Sequence, residues 1–426
     1  MFQPVDAGSL TAFRILFGLL MMAAVARFFV HGWIAEYYLR PRFFFTYEGF
    51  RWVRPWSGWG MYLHFAAMGV AALGIATGRL YRISAAAFFA LFTYAHLIDK
   101  TNYLNHYYLI SLLALLLVLL PLRRGATTYP AWVLWTLRAQ VGCVYLFGGI
   151  AKLKPDWLIH AQPLKIWLLA NTDLPVIGPF LGMPGVPHLL SVAGALFDLG
   201  VVPALLWSRT RPLAYSALLG FHLLTGVLFQ LGMFPWVMAA SALLFFPPDW
   251  PSRVRQRLGR LKAGAAPRPG GPFSTRWAGP ALAAAFLAVQ LFLPFRHLTY
   301  PGNVLWTEQG FRFSWNVMLM EKDGVAEFLV RDRPSGRVWV VHPKDYLMPY
   351  QAKMMSAQPD MVRDFARFLA RTFQARGLAE VEVRANVFAS LNGRPRQRLV
   401  DPQVDLARAS APAHAWVLPF KDVSPP

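Results

Sequence analysis

Two polar insertions interrupt apolar runs, and both hold residues that do chemistry. One is Asp99-Lys100-Thr101-Asn102-Tyr103-Leu104-Asn105-His106-Tyr107-Tyr108; the other is Gly148-Gly149-Ile150-Ala151-Lys152-Leu153-Lys154-Pro155-Asp156-Trp157. Ionisable groups inside or at the edge of a bilayer are costly, so they mark function more often than packing. Burial of Lys152 favours the uncharged amine, which can accept a proton; the competing role is a long side chain snorkelling to the interface. His106 near a helix start can donate to a developing oxyanion, or can be a satisfied packing histidine. Asp99 and Lys100 read as a local ion pair that fixes their loop, and Asn102 and Asn105 carry amides suited to positioning. His222 and Gln230 read as polar packing. Asp198, a lone acid in an apolar run, is either functional or the partner of an arginine. The histidines have no zinc-like spacing. No glycine-rich phosphate loop, Gly-x-Ser-x-Gly or cysteine nucleophile is present.

The elements that must position these residues are membrane helices. Of 426 residues, 56% are hydrophobic and 15% charged, which excludes disorder and indicates an integral membrane protein. Runs long enough to cross a bilayer, ~20 residues each, recur at about 12–30, 58–77, 81–99, 103–121, 131–152, 187–207, 211–229, 231–247 and 278–297, giving nine spans. The first is read as a retained helix, because only Asp6 is charged ahead of Arg14. Basic residues cluster in the loops at Arg79 and Arg82, at Arg123 and Arg124, at Arg209 and Arg211, and across 248–276. With nine spans all four loops fall on one side, which the positive-inside rule makes cytoplasmic. That also accounts for the formal charge of +21 without nucleic acid, as loop charge attracted to anionic lipid. The single cysteine, Cys143, excludes an intramolecular disulfide and a cysteine metal site.

This count puts His106 about one turn into the fourth span and Lys152 at the end of the fifth, at one depth near the outer leaflet. Both are then expected to face a single apolar cavity. Segments 31–57 and 154–187, rich in Trp, Arg and Pro, read as interfacial or re-entrant. Beyond residue 298 the chain turns polar. Val338–Val341 and the alternation of Val381, Val383, Ala385 and Val387 read as strands, and Met361, Phe365, Phe368 and Leu369 mark an amphipathic helix near 360–376. Asn392-Gly393 marks a turn. The expected architecture is an all-α polytopic bundle over 1–297 followed by a small extracytoplasmic α+β domain over 298–426. No internal repeat is visible, which weakens a secondary-transporter reading.

Taken in order, the motifs resemble one family. Leu97–Leu109, the run Val144-Tyr145-Leu146-Phe147-Gly148-Gly149-Ile150-Ala151-Lys152-Leu153 with Asp156-Trp157, Phe221-His222, Leu231–Pro235, Pro248–Pro251, Gln290–His297, Phe313-Ser314-Trp315, Ser390–Arg394 and Arg398–Asp405 are similar to stretches of vitamin K-dependent gamma-glutamyl carboxylases. The short chain resembles bacterial forms with the horizontally transferred transmembrane domain. The resemblance implies a lyase that oxidises vitamin K hydroquinone, or a related menaquinol, with O2. The cofactor thereby becomes a base strong enough for the gamma proton of glutamate, which no ordinary side chain removes. CO2 then captures the carbanion, and the 2,3-epoxide leaves. It implies Lys152 as the base that first deprotonates the hydroquinone and His106 as the stabiliser of charge on oxygen. Asn102, Asn105, Tyr107 and His222 are implied beside the cofactor, and Phe311, Arg312 and Trp315 beside the glutamate. No metal is expected. Implied partners are a glutamate-containing protein or peptide, a quinone and membrane lipid, in a bacterial inner membrane. Phe311 stands where animal enzymes have tyrosine, and the animal disulfide has no counterpart. Propeptide recognition and processive carboxylation are therefore not implied. Two rival readings are a hydroquinone epoxidase without carboxylation and a non-enzymatic quinone-binding module.

Overall fold

A computed structural model describes residues 1–122, 124–229, 231–259, 277–409 and 415–425. Gln230, Arg123, Arg260, Lys262, Arg268 and Arg276 lie outside the described residues.

Among the described residues, seven helices are long and apolar enough to cross a membrane, and two shorter apolar helices join them. In chain order they are α1 (Gly8–Val30), α2 (Trp59–Thr77), α3 (Tyr81–Ile98), α4 (Asn105–Leu119), α5 (Ala131–Ala151), α6 (Val186–Leu206), α7 (Arg211–Phe229), α8 (Phe234–Ala242) and α9 (Ala278–Phe292). All nine apolar runs of the sequence are thus helical; α4 and α8 are the short ones. Most are hydrophobic all round, as helices flanked by lipid and by one another must be. Small residues let them approach. A Cβ on Gly18 of α1 would lie 2.6 Å from the Ala76 nitrogen of α2, so only glycine allows that crossing.

The two faces of the bundle differ. On the basic face, strand β1 (Pro4–Asp6) pairs antiparallel with β2 (Thr128–Pro130), and the Arg14 guanidinium caps the C-terminus of α2 through the carbonyls of Ile75 and Ala76. On the opposite face sits a four-stranded antiparallel sheet in the order β4-β3-β5-β6, formed by β3 (Lys322–Asp332), β4 (Val338–Val341), β5 (Val381–Leu391) and β6 (Gln397–Arg398). Strands β3 and β5 pair along their whole length, with Phe328 opposite Ala385. Helices α10 (Pro349–Ala357) and α11 (Pro359–Gln374) cover the sheet. The i, i+4 stripe of Met361, Phe365, Leu369 and Phe373 is buried in one core with Val381, Val383, Ala385 and Val387. The expected helix and both expected strands are present. Strand β3 was not foreseen, because Lys-Asp-Gly-Val-Ala-Glu-Phe-Leu-Val-Arg-Asp does not alternate.

Segment 31–57 is only partly interfacial. Trp52 and Trp56 are exposed, but Phe43 and Phe45 are drawn into the core of the polar domain, where the Phe43 ring lies 4.5 Å from that of Phe368. Asp99 and Lys100 do not pair with each other, contrary to expectation. Asp99 accepts from the backbone and hydroxyl of Thr101 and from Gln351, and Lys100 donates to Asp360 at 3.0 Å and Asp364 at 2.6 Å. Each finds its partner on the sheet-bearing domain. Arg394 likewise reaches across to Asp156 at 2.6 Å, beside Asn392. Both polar insertions therefore end under one domain, on the same face of the bundle.

Candidate active site

Helix α5 ends with Gly148-Gly149, and this glycine pair sets the site. A Cβ on Gly149 would sit 2.7 Å from the Leu199 side chain, and one on Gly148 would touch Asp198 Oδ2 at 3.4 Å. Without side chains there, α5 and α6 close together, and Lys152 Nζ comes 2.7 Å from Asp198 Oδ2. The amine also lies 3.4 Å from the Gly148 carbonyl oxygen and 5.2 Å from the centre of the Trp157 ring. Lys152 is 5% exposed and Asp198 8%. The isolated amine expected from sequence is instead one half of a buried ion pair. In low dielectric a lone charge is not tolerated, whereas a hydrogen-bonded pair is.

This pair lines a cavity of about 360 Å³ with apolar walls from Val144, Phe197, Leu224, Phe229 and Met238. His222 lines it too, accepting or donating at 2.8 Å to the buried Tyr145 hydroxyl. A cavity of this size and character suits a flat apolar ligand with one polar end.

A second, larger cavity of about 630 Å³ adjoins it and is more polar. His106, Tyr107, Asn102 and Asn105 line it, together with His96 and Arg27. The single cavity expected for Lys152 and His106 is thus two chambers. They share Phe229, Leu231, Phe234, Val317 and Met318 as a common wall. The physical reason is the Phe234 ring, whose centre lies 5.9 Å from that of His106 and 5.7 Å from that of His222. His106 and His222 thus both lie beside one aromatic side chain while lining different chambers. Asn105 is a brace: it accepts from the Tyr103 hydroxyl at 3.0 Å and donates to the Asn316 carbonyl at 3.3 Å.

The loop 308–318 roofs the wall. Four of its non-glycine residues, Glu308, Phe313, Trp315 and Met318, have φ between +54° and +65°. Such strain persists only where the surroundings over-determine it, and it clusters at working sites. Trp315 is buried against Tyr108, with ring centres 5.0 Å apart. Phe311 packs against the core of the polar domain. Arg312 is committed to Asp360 at 2.9 Å and to Gln358. Burial alone would raise the Asp360 carboxyl, but Arg312 and Lys100 hold it well below the usual carboxylate range. Asp99 goes the other way: burial pushes its carboxyl up to about 6 despite its bonds from Thr101 and Gln351. Among the described residues, no group of three His, Cys, Asp or Glu side chains could hold a metal ion.

Structure supplied what the sequence left open or passed over. Asp198 pairs with a lysine rather than an arginine, and Tyr145 anchors His222. Arg27, near the domain-side end of α1, carried no sequence signal beyond a basic residue at a helix terminus.

Fold and site together define a polytopic membrane protein that carries a buried lysine–aspartate pair beneath an extramembrane α+β domain. A family model for the HTTM domain matches residues 2–250, and one for the vitamin K-dependent gamma-carboxylase lumenal domain matches residues 277–423. The chain belongs to the vitamin K-dependent gamma-carboxylase family. No solved structure matches it.

Proposed function

We propose that this protein couples oxygenation of vitamin K hydroquinone, or a related menaquinol, to carboxylation of glutamate side chains in a protein or peptide, with O2 and CO2 as co-substrates. The same reading places it in a bacterial inner membrane, with residues 298–426 as an extracytoplasmic domain. One observation carries the proposal beyond family membership: the Lys152–Asp198 pair is buried yet opens into an apolar chamber.

The chamber fits a quinol. Its walls are hydrocarbon and aromatic, and its charged groups are concentrated where α5 meets α6. When bound and oxygenated, the quinol supplies the strong base that no side chain can. The protein's residues do the rest. The ion pair is neutral overall and has capacity for one more proton, on the Asp198 carboxylate. A hydroxyl presented to it can pass a proton toward Asp198 through Lys152 Nζ. The ammonium then remains as the counter-charge beside the new oxyanion. In this account Lys152 holds and moves the proton at Nζ, and Asp198 is its acceptor. His222, steadied by Tyr145, orients the polar end of the ring. His106, in the polar chamber, donates to charge developing on oxygen of the reacting glutamate. Tyr107 packs against His106, Asn105 braces Tyr103 and the Asn316 backbone beside it, and Asn102 serves the polar chamber. Phe311, Arg312 and Trp315 act as the frame of the strained roof over the glutamate side. Apolar walls and the covering domain exclude water from reactive species.

Incubating purified protein with vitamin K hydroquinone, labelled CO2 and a glutamate peptide tests this reading. The expected products are epoxide and fixed label. Epoxide without label would reduce the protein to an epoxidase; neither product would leave only quinone binding.

A further inference from the structure

The polar chamber contains a cation without a counter-ion. Arg27 lines it, and its guanidinium lies 5.2 Å from the centre of the Trp33 ring. A Cβ on Gly232, at φ +59°, would come 3.7 Å from Arg27 Nη1, so the guanidinium lies over bare backbone of the same chamber. Four other cations close to the site have carboxylate partners. Lys152 has Asp198, Lys100 has Asp360 and Asp364, Arg312 has Asp360, and Lys322 has Glu308. Among the described residues Arg27 has no carboxylate partner, and no Asp or Glu lines the chamber.

Asn102 and His96 line the same chamber. His96 Nε2 has no partner in the protein and the residue is only 8% exposed, while the Asn102 amide bonds Tyr350. Buried polar atoms left orphaned in this way are costly and call for an explanation. A half-buried arginine and an imidazole beside one cavity form a donor set for a carboxylate. The neighbouring chamber offers no such set, because its one cation is already neutralised.

We propose that the polar chamber binds the side-chain carboxylate of the acceptor glutamate, with Arg27 as its counter-charge and His96 as a further donor. This rests on the function proposed above and deepens it. Arg27 lies against Gly232, two residues from Phe234 in the wall shared with the Lys152 chamber, so a carboxylate held there is placed beside that wall. The guanidinium is planar and forked, so it can hold both carboxylate oxygens and fix their orientation; lysine cannot do this equally well.

The test is equilibrium binding, read by fluorescence anisotropy. The probes are a labelled pentapeptide with one central glutamate and the same peptide with glutamine. Wild-type protein, Arg27→Gln and Arg27→Lys are compared in nanodiscs. Wild type is expected to prefer the glutamate peptide by roughly tenfold or more, the scale of a lost charge pair in a desolvated site. Arg27→Gln is expected to erase that preference and Arg27→Lys to restore part of it. If wild type does not discriminate, or Arg27→Gln discriminates equally well, the proposal is overturned. Unchanged melting temperatures of the variants exclude misfolding as the cause. Epoxide formation by the wild type is measured separately. Arg27-dependent binding without epoxide would overturn the functional reading alone. Epoxide with binding indifferent to Arg27 would overturn this inference alone.

Discussion

The two chambers are built on opposite electrostatic plans. In the smaller one a charge pair is already balanced and the walls are apolar, so the space accepts an uncharged ring and uses its charges on protons. In the larger one a cation and an imidazole nitrogen are left without partners, so the space waits for an anion. A buried group that is satisfied internally is available for chemistry that leaves its pairing intact. A group left unsatisfied is available for a ligand. The contrast also explains why Phe234 is worth its bulk: it keeps two incompatible environments adjacent but distinct.

The comparison breaks most severely at Lys152. Lys152→Ala is expected to lower epoxide formation by roughly 10²–10⁴-fold. Leaving Asp198 buried and unpaired also costs about 3–5 kcal/mol of stability. The double variant Lys152→Leu/Asp198→Leu removes both charges and should recover most of that stability, by thermal unfolding, while remaining inactive. A stable double variant that still forms epoxide would remove the pair from the mechanism.

Asp198→Asn comes next. With the acceptor gone a proton taken at Nζ has nowhere to pass, so activity should fall by about 10²-fold. Activity equal to that of wild type would assign Asp198 a packing role. Smaller again is Phe234→Leu, which thins the wall at a cost of about 1 kcal/mol. The expected sign is leakage between chambers: the ratio of epoxide formed to CO2 fixed should climb a few-fold, because an opened site admits side reactions.

The smallest effect concerns the clamp above both chambers. Arg312 and Lys100 hold the Asp360 carboxyl well below its usual range, against the opposing pull of burial. A depressed carboxylate contributes stability that is complete above its unfolded value near ~4 and is lost as pH falls. Wild-type melting temperature should therefore decline below about pH 4, and Asp360→Asn should flatten that decline. Identical acid profiles would contradict the assigned pairing.

Much of this architecture was legible in the chain. Nine apolar runs became nine helices because a bilayer leaves a hydrophobic segment of that length few alternatives. The stripe from Met361 to Phe373 and the alternation from Val381 announced their own elements. Lys152 and His106 were visible because a charge or imidazole stands out against hydrocarbon. Their partners were not. Asp198 lies 46 residues from Lys152 and meets it only because two glycines let α5 and α6 close. Arg27 looked ordinary, since an unpaired cation is defined by what does not surround it, and only packing shows that. The division into two chambers depends on a wall of five side chains from two distant segments, and their spacing carries no sign of the role.

The most direct measurement is a cryo-EM density map of the protein with a non-reactive menaquinone analogue. The account predicts the ring in the apolar chamber, with one ring oxygen within hydrogen-bond reach of Lys152 Nζ and the polar chamber free of it. A head group seated instead beside Arg27, with the Lys152–Asp198 pair untouched, would contradict the division of labour on which the account stands.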